Sequence, residues 1–103
     1  MIQNKVLSYI GLATKAGKVM SGEFMTEKAV KEGMACLVIV ADNASDNTKK
    51  MFTNMCSFYN VPIVIMQDKD TLGHAMGKQY RASLAIVDQG FADAIMKQLE
   101  KKL

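Results

Sequence analysis

The chain has 103 residues and a mass of 11.3 kDa; half of its residues are hydrophobic and 22% are charged. This is the length of one domain with enough apolar material for a core, and it excludes intrinsic disorder, which needs low hydrophobicity and high charge. The longest unbroken apolar run, Met34–Ala41, is far short of the ~20 residues that cross a bilayer, so no membrane association is expected. The start, Met1-Ile2-Gln3-Asn4-Lys5, has no basic flank leading into an apolar stretch and no small-residue cleavage site, which predicts a cytoplasmic protein without a signal peptide. The net charge is +3, unevenly spread: residues 1–31 carry +3, residues 32–77 carry −2 and residues 78–103 carry +2. If the two basic segments meet in space they make a local positive patch on a nearly neutral body.

In chain order, Asn4 to Ala16 reads as a helix with Val6, Leu7, Ile10 and Ala13 on one stripe and Gly17 as its stop. Lys18 to Met20 is a short extended piece. Ser21-Gly22 opens a second helix that runs to Gly33, with Met25, Ala29 and Val30 facing inward. Ala35 to Ala41 is the clearest strand, apolar on both faces and therefore central in a covered sheet. Asp42-Asn43-Ala44-Ser45 offers a turn and several N-caps for a helix reaching Tyr59, which buries Phe52, Met55 and Tyr59. Pro62 to Met66 is a third buried strand. Asp68 or Asp70 caps a short helix that holds Leu72, Ala75 and Met76 and stops at Gly77. Ala82 to Val87 is the fourth strand, and Gly90 to Leu103 a last helix with Phe91, Ile95 and Leu99 on one face and Lys97, Lys101 and Lys102 near its negative end. Buried strands alternating with helices predict an α/β fold, a three-layer α/β/α sandwich around a four-stranded mixed sheet, in one domain over residues 1–103.

Cys36 and Cys56 are too far apart for a CxxC pair and read as two buried reduced thiols; with His74 the sole histidine, neither a metal site nor a cofactor is expected. Gly11 to Lys18 superficially suggests a phosphate loop. Five residues separate Gly11 from Gly17 where that loop needs four, Val19 replaces its Ser/Thr, and Gly11 falls inside a helical pattern. No nucleophile stands at a recognisable spacing from His74, and Asp68 and Asp70 are more simply helix caps than paired carboxylates, so no enzyme is expected.

Two segments stand out. In Ser21-Gly22-Glu23 a glycine at a strand-to-helix junction permits close backbone approach, the helix start offers free N–H groups to a phosphate, and Lys28 lies two turns in. The plainer alternative is a solvated helix carrying Glu23, Glu27 and Lys31 at i, i+4 spacing. In Gly77-Lys78-Gln79-Tyr80-Arg81 two cations, an amide and an aromatic ring crowd into a loop: Lys78 and Arg81 neutralise phosphates, Tyr80 stacks on an unpaired base, and Gln79 reads a base edge. The plainer alternative is a polar connector.

These segments resemble the kink-turn RNA-binding ribosomal proteins, that is, the archaeal large-subunit seven-Ae and eukaryotic thirty-e type, and among them most nearly the bacterial YlxQ-type ribosomal-protein-like family. The resemblance runs through Gly11-Leu12-Ala13, Ala16-Gly17-Lys18, Ser21-Gly22-Glu23, Lys28-Ala29-Val30-Lys31-Glu32-Gly33 and Leu37 to Asp42. It continues in Asn60-Val61-Pro62, Leu72-Gly73-x-Ala75-x-Gly77-Lys78 and Ala85-Ile86-Val87-Asp88-x-Gly90. It implies an α/β/α sandwich that grips RNA with the start of the second helix and the loop before the last strand. The residues so marked are Gly22, Glu23, Phe24, Lys28, Lys78, Gln79, Tyr80 and Arg81. Where the archaeal motif places Asn-Glu to read the kink's sheared G·A pairs, this chain has Phe24 and Met25, which cannot make those hydrogen bonds; Phe24 either stacks on a base or packs in the core. The expectation is a non-catalytic, monomeric RNA-binding protein of ribosomal type whose partner is structured, kink-turn-like RNA, ribosomal or otherwise non-coding, with the ribosome itself a further partner. The alternative is a protein-interaction module on the same fold that binds a translation or stress factor.

Overall fold

The computed structural model describes residues 2–100, with side chains from Lys5 onward. Nine elements follow one another within this span: α1 (Ile2–Lys15), β1 (Val19–Ser21), α2 (Glu23–Lys31), β2 (Leu37–Val40), α3 (Asp46–Tyr59), β3 (Ile63–Ile65), α4 (Lys69–Ala75), β4 (Ser83–Ile86) and α5 (Gln89–Glu100). The strands form one mixed sheet in the order β1-β4-β2-β3, antiparallel except for the parallel β2–β3 pair. Helices α1, α4 and α5 cover one face, and α2 and α3 the other. This is the expected α/β/α sandwich. The continuation of the last helix through Lys101 and Lys102 to Leu103 lies outside the described residues.

The core follows from periodicity. Val6, Ile10 and Ala13 fall on one side of α1 at helical spacing and are fully buried. All four residues of β2 are buried, because a central strand between two helical layers has no wet face. Each fully buried Leu, Ile, Val or Phe contributes about 1.5–3 kcal/mol over leaving it in water.

Four expectations needed correction. On α2 the inward residue is Thr26 and not Met25, which is exposed; Thr26 is buried with its hydroxyl accepting from Ser83 Oγ at 3.2 Å. Tyr59 is exposed, since α3 ends there and Asn60 turns the chain with φ 59°. The third strand is shorter than Pro62–Met66 and only half-buried, because it lies at the edge of the sheet and leaves Ile65 exposed. Cys36 is partly exposed, whereas Cys56 is buried and its thiol pKa is pushed up to about 11 by that burial.

Pairing of the strands determines which segments become neighbours. Ser21 stands opposite Leu84 in the antiparallel β1–β4 ladder, and Gly22 N–H donates to Ser83 C=O at 2.9 Å. The chain leaving β1 therefore lies beside the chain entering β4. The end of β2 arrives at the same place: Ala41 N–H donates to Ala82 C=O, and Asp42 N–H to Gln67 C=O just before α4.

Candidate functional site

Gly22 caps α2 with φ 91° and ψ 160°, in the left-handed half of the map where a side chain is strained. The close approach expected of it is not made by this protein. No atom stands within 4 Å of where a Cβ would be, so the glycine is required by its torsion, and the space above it is open. Ser21, Gly22 and Glu23 form one wall of a surface depression of ≈ 410 Å³, and Gln79, Tyr80 and Arg81 form the other. Segments separated by more than fifty residues thus share one concavity, as the sequence reading required.

Arg81 ties the walls together. Its Nε donates to Ser21 Oγ at 3.2 Å and its Nη1 donates to the Tyr80 carbonyl at 2.8 Å. A guanidinium carries five N–H donors, so three remain for a ligand in a fixed fork. Its hydrogen-bond partners are neutral oxygens, and among the described residues no carboxylate is ion-paired to it, although Glu23 lines the same depression.

Glycine at position 73 seats the loop. A Cβ there would stand 2.4 Å from Tyr80 Cα and 2.7 Å from Tyr80 N, so only glycine lets the loop lie against α4. Lys78 N–H donates to Gly73 C=O at 2.8 Å and Arg81 N–H to Lys69 C=O at 3.0 Å, sealing the loop onto the helix at both ends. Helix α4 is itself pinned at its start. Asp68 Oδ1 accepts from Thr71 N–H at 2.7 Å, and Asn43 Oδ1 accepts from Lys69 N–H at 2.9 Å. The hydrogen bonds from Thr71 hold the Asp68 carboxyl below its ordinary pKa. Of the two candidate caps, Asp68 serves.

Tyr80 is 57% exposed, and Lys69 Nζ lies over its ring, 6.0 Å from the centroid. One ring face meets a cation at the outer limit of a cation–π contact. Lys69 is the residue that sequence reasoning missed. It sits eleven positions from Tyr80 on another element, and neither periodicity nor a motif links them.

The remaining candidates lie apart from the depression. Phe24, 75% exposed, is not a core residue; with Lys28 it lines a neighbouring hollow on α2 that also contains Glu27, Lys31 and Glu32. There Lys31 Nζ donates to Glu27 Oε2 at 2.7 Å, and this hydrogen bond raises the lysine pKa. Lys78 is exposed at the start of the loop and lines neither concavity. Among the described residues no group of three His, Cys, Asp or Glu side chains is placed to hold a metal ion, and no helix is long and apolar enough to cross a membrane.

Comparison with known proteins bears on this geometry. A model of the ribosomal protein L7Ae/L30e/S12e/Gadd45 family matches residues 4–96. The chain is 38% identical over 91 residues to the RNA-binding protein YlxQ of Bacillus subtilis strain 168, spanning 88% of this chain and 91% of that protein. It is 36% identical over 98 residues to the RNA-binding protein YlxQ of Enterococcus faecium, spanning 95% and 94% respectively. Among solved structures, a Bacillus halodurans protein of unknown function superposes with a TM-score of 0.90 at 33% identity, covering 93% of this chain and 97% of that one. The Giardia lamblia 15.5kD RNA binding protein superposes with a TM-score of 0.82 at 21% identity over 97% of this chain and 86% of that one, a likeness of fold.

Proposed function

Because the chain belongs to the ribosomal protein L7Ae/L30e/S12e/Gadd45 family, we propose that it is a non-catalytic RNA-binding protein and that the concavity between the start of α2 and the loop before β4 is its RNA surface. The observation that carries the assignment is the meeting of Gly22 and Glu23 with Gln79, Tyr80 and Arg81 around one depression, clamped by the Arg81–Ser21 bond. Arg81 and Lys78 take phosphates, with Lys28 reaching the same backbone from the next turns of α2. The open space at Gly22 admits the sugar-phosphate chain to the helix start. Tyr80, and Phe24 beyond it, stack on unpaired bases. The side chains of Phe24 and Met25 carry no hydrogen-bond donor, so beyond its backbone N–H groups this edge of α2 contributes apolar contact and stacking, and discrimination on this surface falls to Gln79. The partner is structured RNA with bases turned out of the helix, ribosomal or otherwise non-coding, met by a monomer.

Filter binding to total ribosomal RNA, with tRNA as competitor, tests this. Three phosphate contacts predict a log–log salt slope of about −2.1 to −2.7, so that affinity falls about 20- to 40-fold between 50 and 200 mM salt. Lys78→Ala with Arg81→Ala should flatten the slope by about 1.5 while the domain stays folded. Binding indifferent to salt, or a folded double variant that binds as the wild type does, overturns the assignment.

A further inference from the structure

Beside the RNA surface, a groove of ≈ 600 Å³ runs between α1 and α4. Half-buried Leu7 and Ala75 line it with apolar atoms, and Ser8, Asp70, His74 and Gln79 supply polar groups around them. Gln79 borders both this groove and the depression at Gly22, so the two concavities adjoin at one side chain. A strand held at Tyr80 and Arg81 that passes Gln79 enters the groove directly.

The chemistry of the groove differs from that of the surface beside it. Its charged group is the Asp70 carboxylate, exposed and in no ion pair among the described residues. No lysine or arginine lines the groove to offset the repulsion between this carboxylate and phosphate, so the groove does not hold backbone; it accepts N–H donors, which in RNA belong to base edges. The two carboxylate oxygens suit two adjacent donors best. Guanine presents such a pair, N1–H and the N2 amino group, on its Watson–Crick edge. Adenine and cytosine offer one amino group there, and uracil one imino N–H. The apolar lining suits the flat face of the ring.

We infer that the α1–α4 groove is a second subsite, which takes one unpaired guanine from the strand bound at Tyr80 and reads its Watson–Crick edge with Asp70. The inference rests on the RNA-binding reading above. Gln79 donates its amide to the same base or to the adjoining sugar, and links the stacked base to the recognised one.

The test uses four fluorescein-labelled RNA hairpins that differ only in one nucleotide of a five-nucleotide bulge, G, A, C or U, measured by fluorescence anisotropy against the full chain. The wild-type protein should bind the G hairpin about tenfold more tightly than the U hairpin, the lower range for a bidentate base contact. Asp70→Asn presents an amide N–H to guanine's donors and should bring that preference below twofold, with U binding unchanged. Ala75→Leu, which fills the groove from its apolar side, should do the same without touching a polar group. Arg81→Ala should weaken all four hairpins by the same factor. If the wild type binds all four alike while Arg81→Ala still weakens them, the groove is not a base subsite and the RNA surface stands. If none of the four is bound, both assignments fall.

Discussion

The protein holds two sets of cations, one on α2 and one at α4 and the loop before β4, and they are held differently. On α2, Lys31 is locked to Glu27 at 2.7 Å, and Lys28 shares its hollow with Glu27 and Glu32. At the loop before β4, Arg81 is fixed by a serine hydroxyl and a backbone carbonyl, and Lys69 by its position over an aromatic ring. A carboxylate partner cancels the charge it orients; a neutral oxygen or a ring orients a charge and leaves it whole. The contrast teaches that counting lysines along a segment does not locate an anion site. The partners that hold each cation do.

Three experiments break or sharpen that contrast. Gly73→Ala should have the largest effect. The new methyl meets the Tyr80 backbone, which cannot retreat without breaking the Lys78–Gly73 and Arg81–Lys69 bonds. A stability loss of about 1–3 kcal/mol is expected from overpacking, seen as a lower melting temperature, together with weaker RNA binding than Arg81→Ala alone produces. An alanine variant with unchanged melting and binding would show that the seating of the loop is irrelevant. Next comes the direct comparison of Arg81→Ala with Lys31→Ala. The first should lower affinity roughly tenfold and reduce the salt slope by about 0.7–0.9. The second should leave the slope unchanged and affinity within twofold. Equal slopes for the two variants would erase the distinction between the regions.

The smallest effect concerns α4, which carries Lys69. Asp68 is held below its ordinary pKa of 3.8 by hydrogen bonds from Thr71, so its ionised form is favoured in the folded state. A group depressed in this way stabilises the fold above its unfolded pKa, and that contribution disappears as pH falls through the lower folded value. Wild type should therefore melt slightly above Asp68→Asn at neutral pH, and the two curves should converge below pH 3.8. Curves that stay parallel down to low pH would remove Asp68 from the support of the site.

Much of this was legible in the amino-acid order. Four apolar runs alternating with helical patterns suffice for the layered architecture, because each buried run needs covering on both faces. The Ser21-Gly22-Glu23 and Lys78–Arg81 segments were visible as chemistry before their proximity was known. What the order conceals depends on tertiary contact. Thr26 on α2 is buried because Ser83, from strand β4, supplies its hydrogen bond; a hydrophobic stripe drawn from spacing alone chose Met25. Pro62–Met66 reads as a buried strand, but the place of β3 at the edge of the sheet comes from the pairing order, which local sequence does not encode. Lys69 and Asn43 support the loop through contacts of eleven and twenty-six residues' separation, beyond the reach of any periodicity.

The sealed loop has a kinetic corollary. Between Gly73 and Ser83 the main chain is fastened to α4 through Gly73 and Lys69, to the end of β2 through Ala82, and to Gly22 through the Ser83 carbonyl. A chain fastened so often has little conformational entropy left to lose when a partner arrives. Association should then be a docking event with single-exponential kinetics, its rate proportional to RNA concentration, and free of the slow isomerisation shown by loops that fold onto their targets.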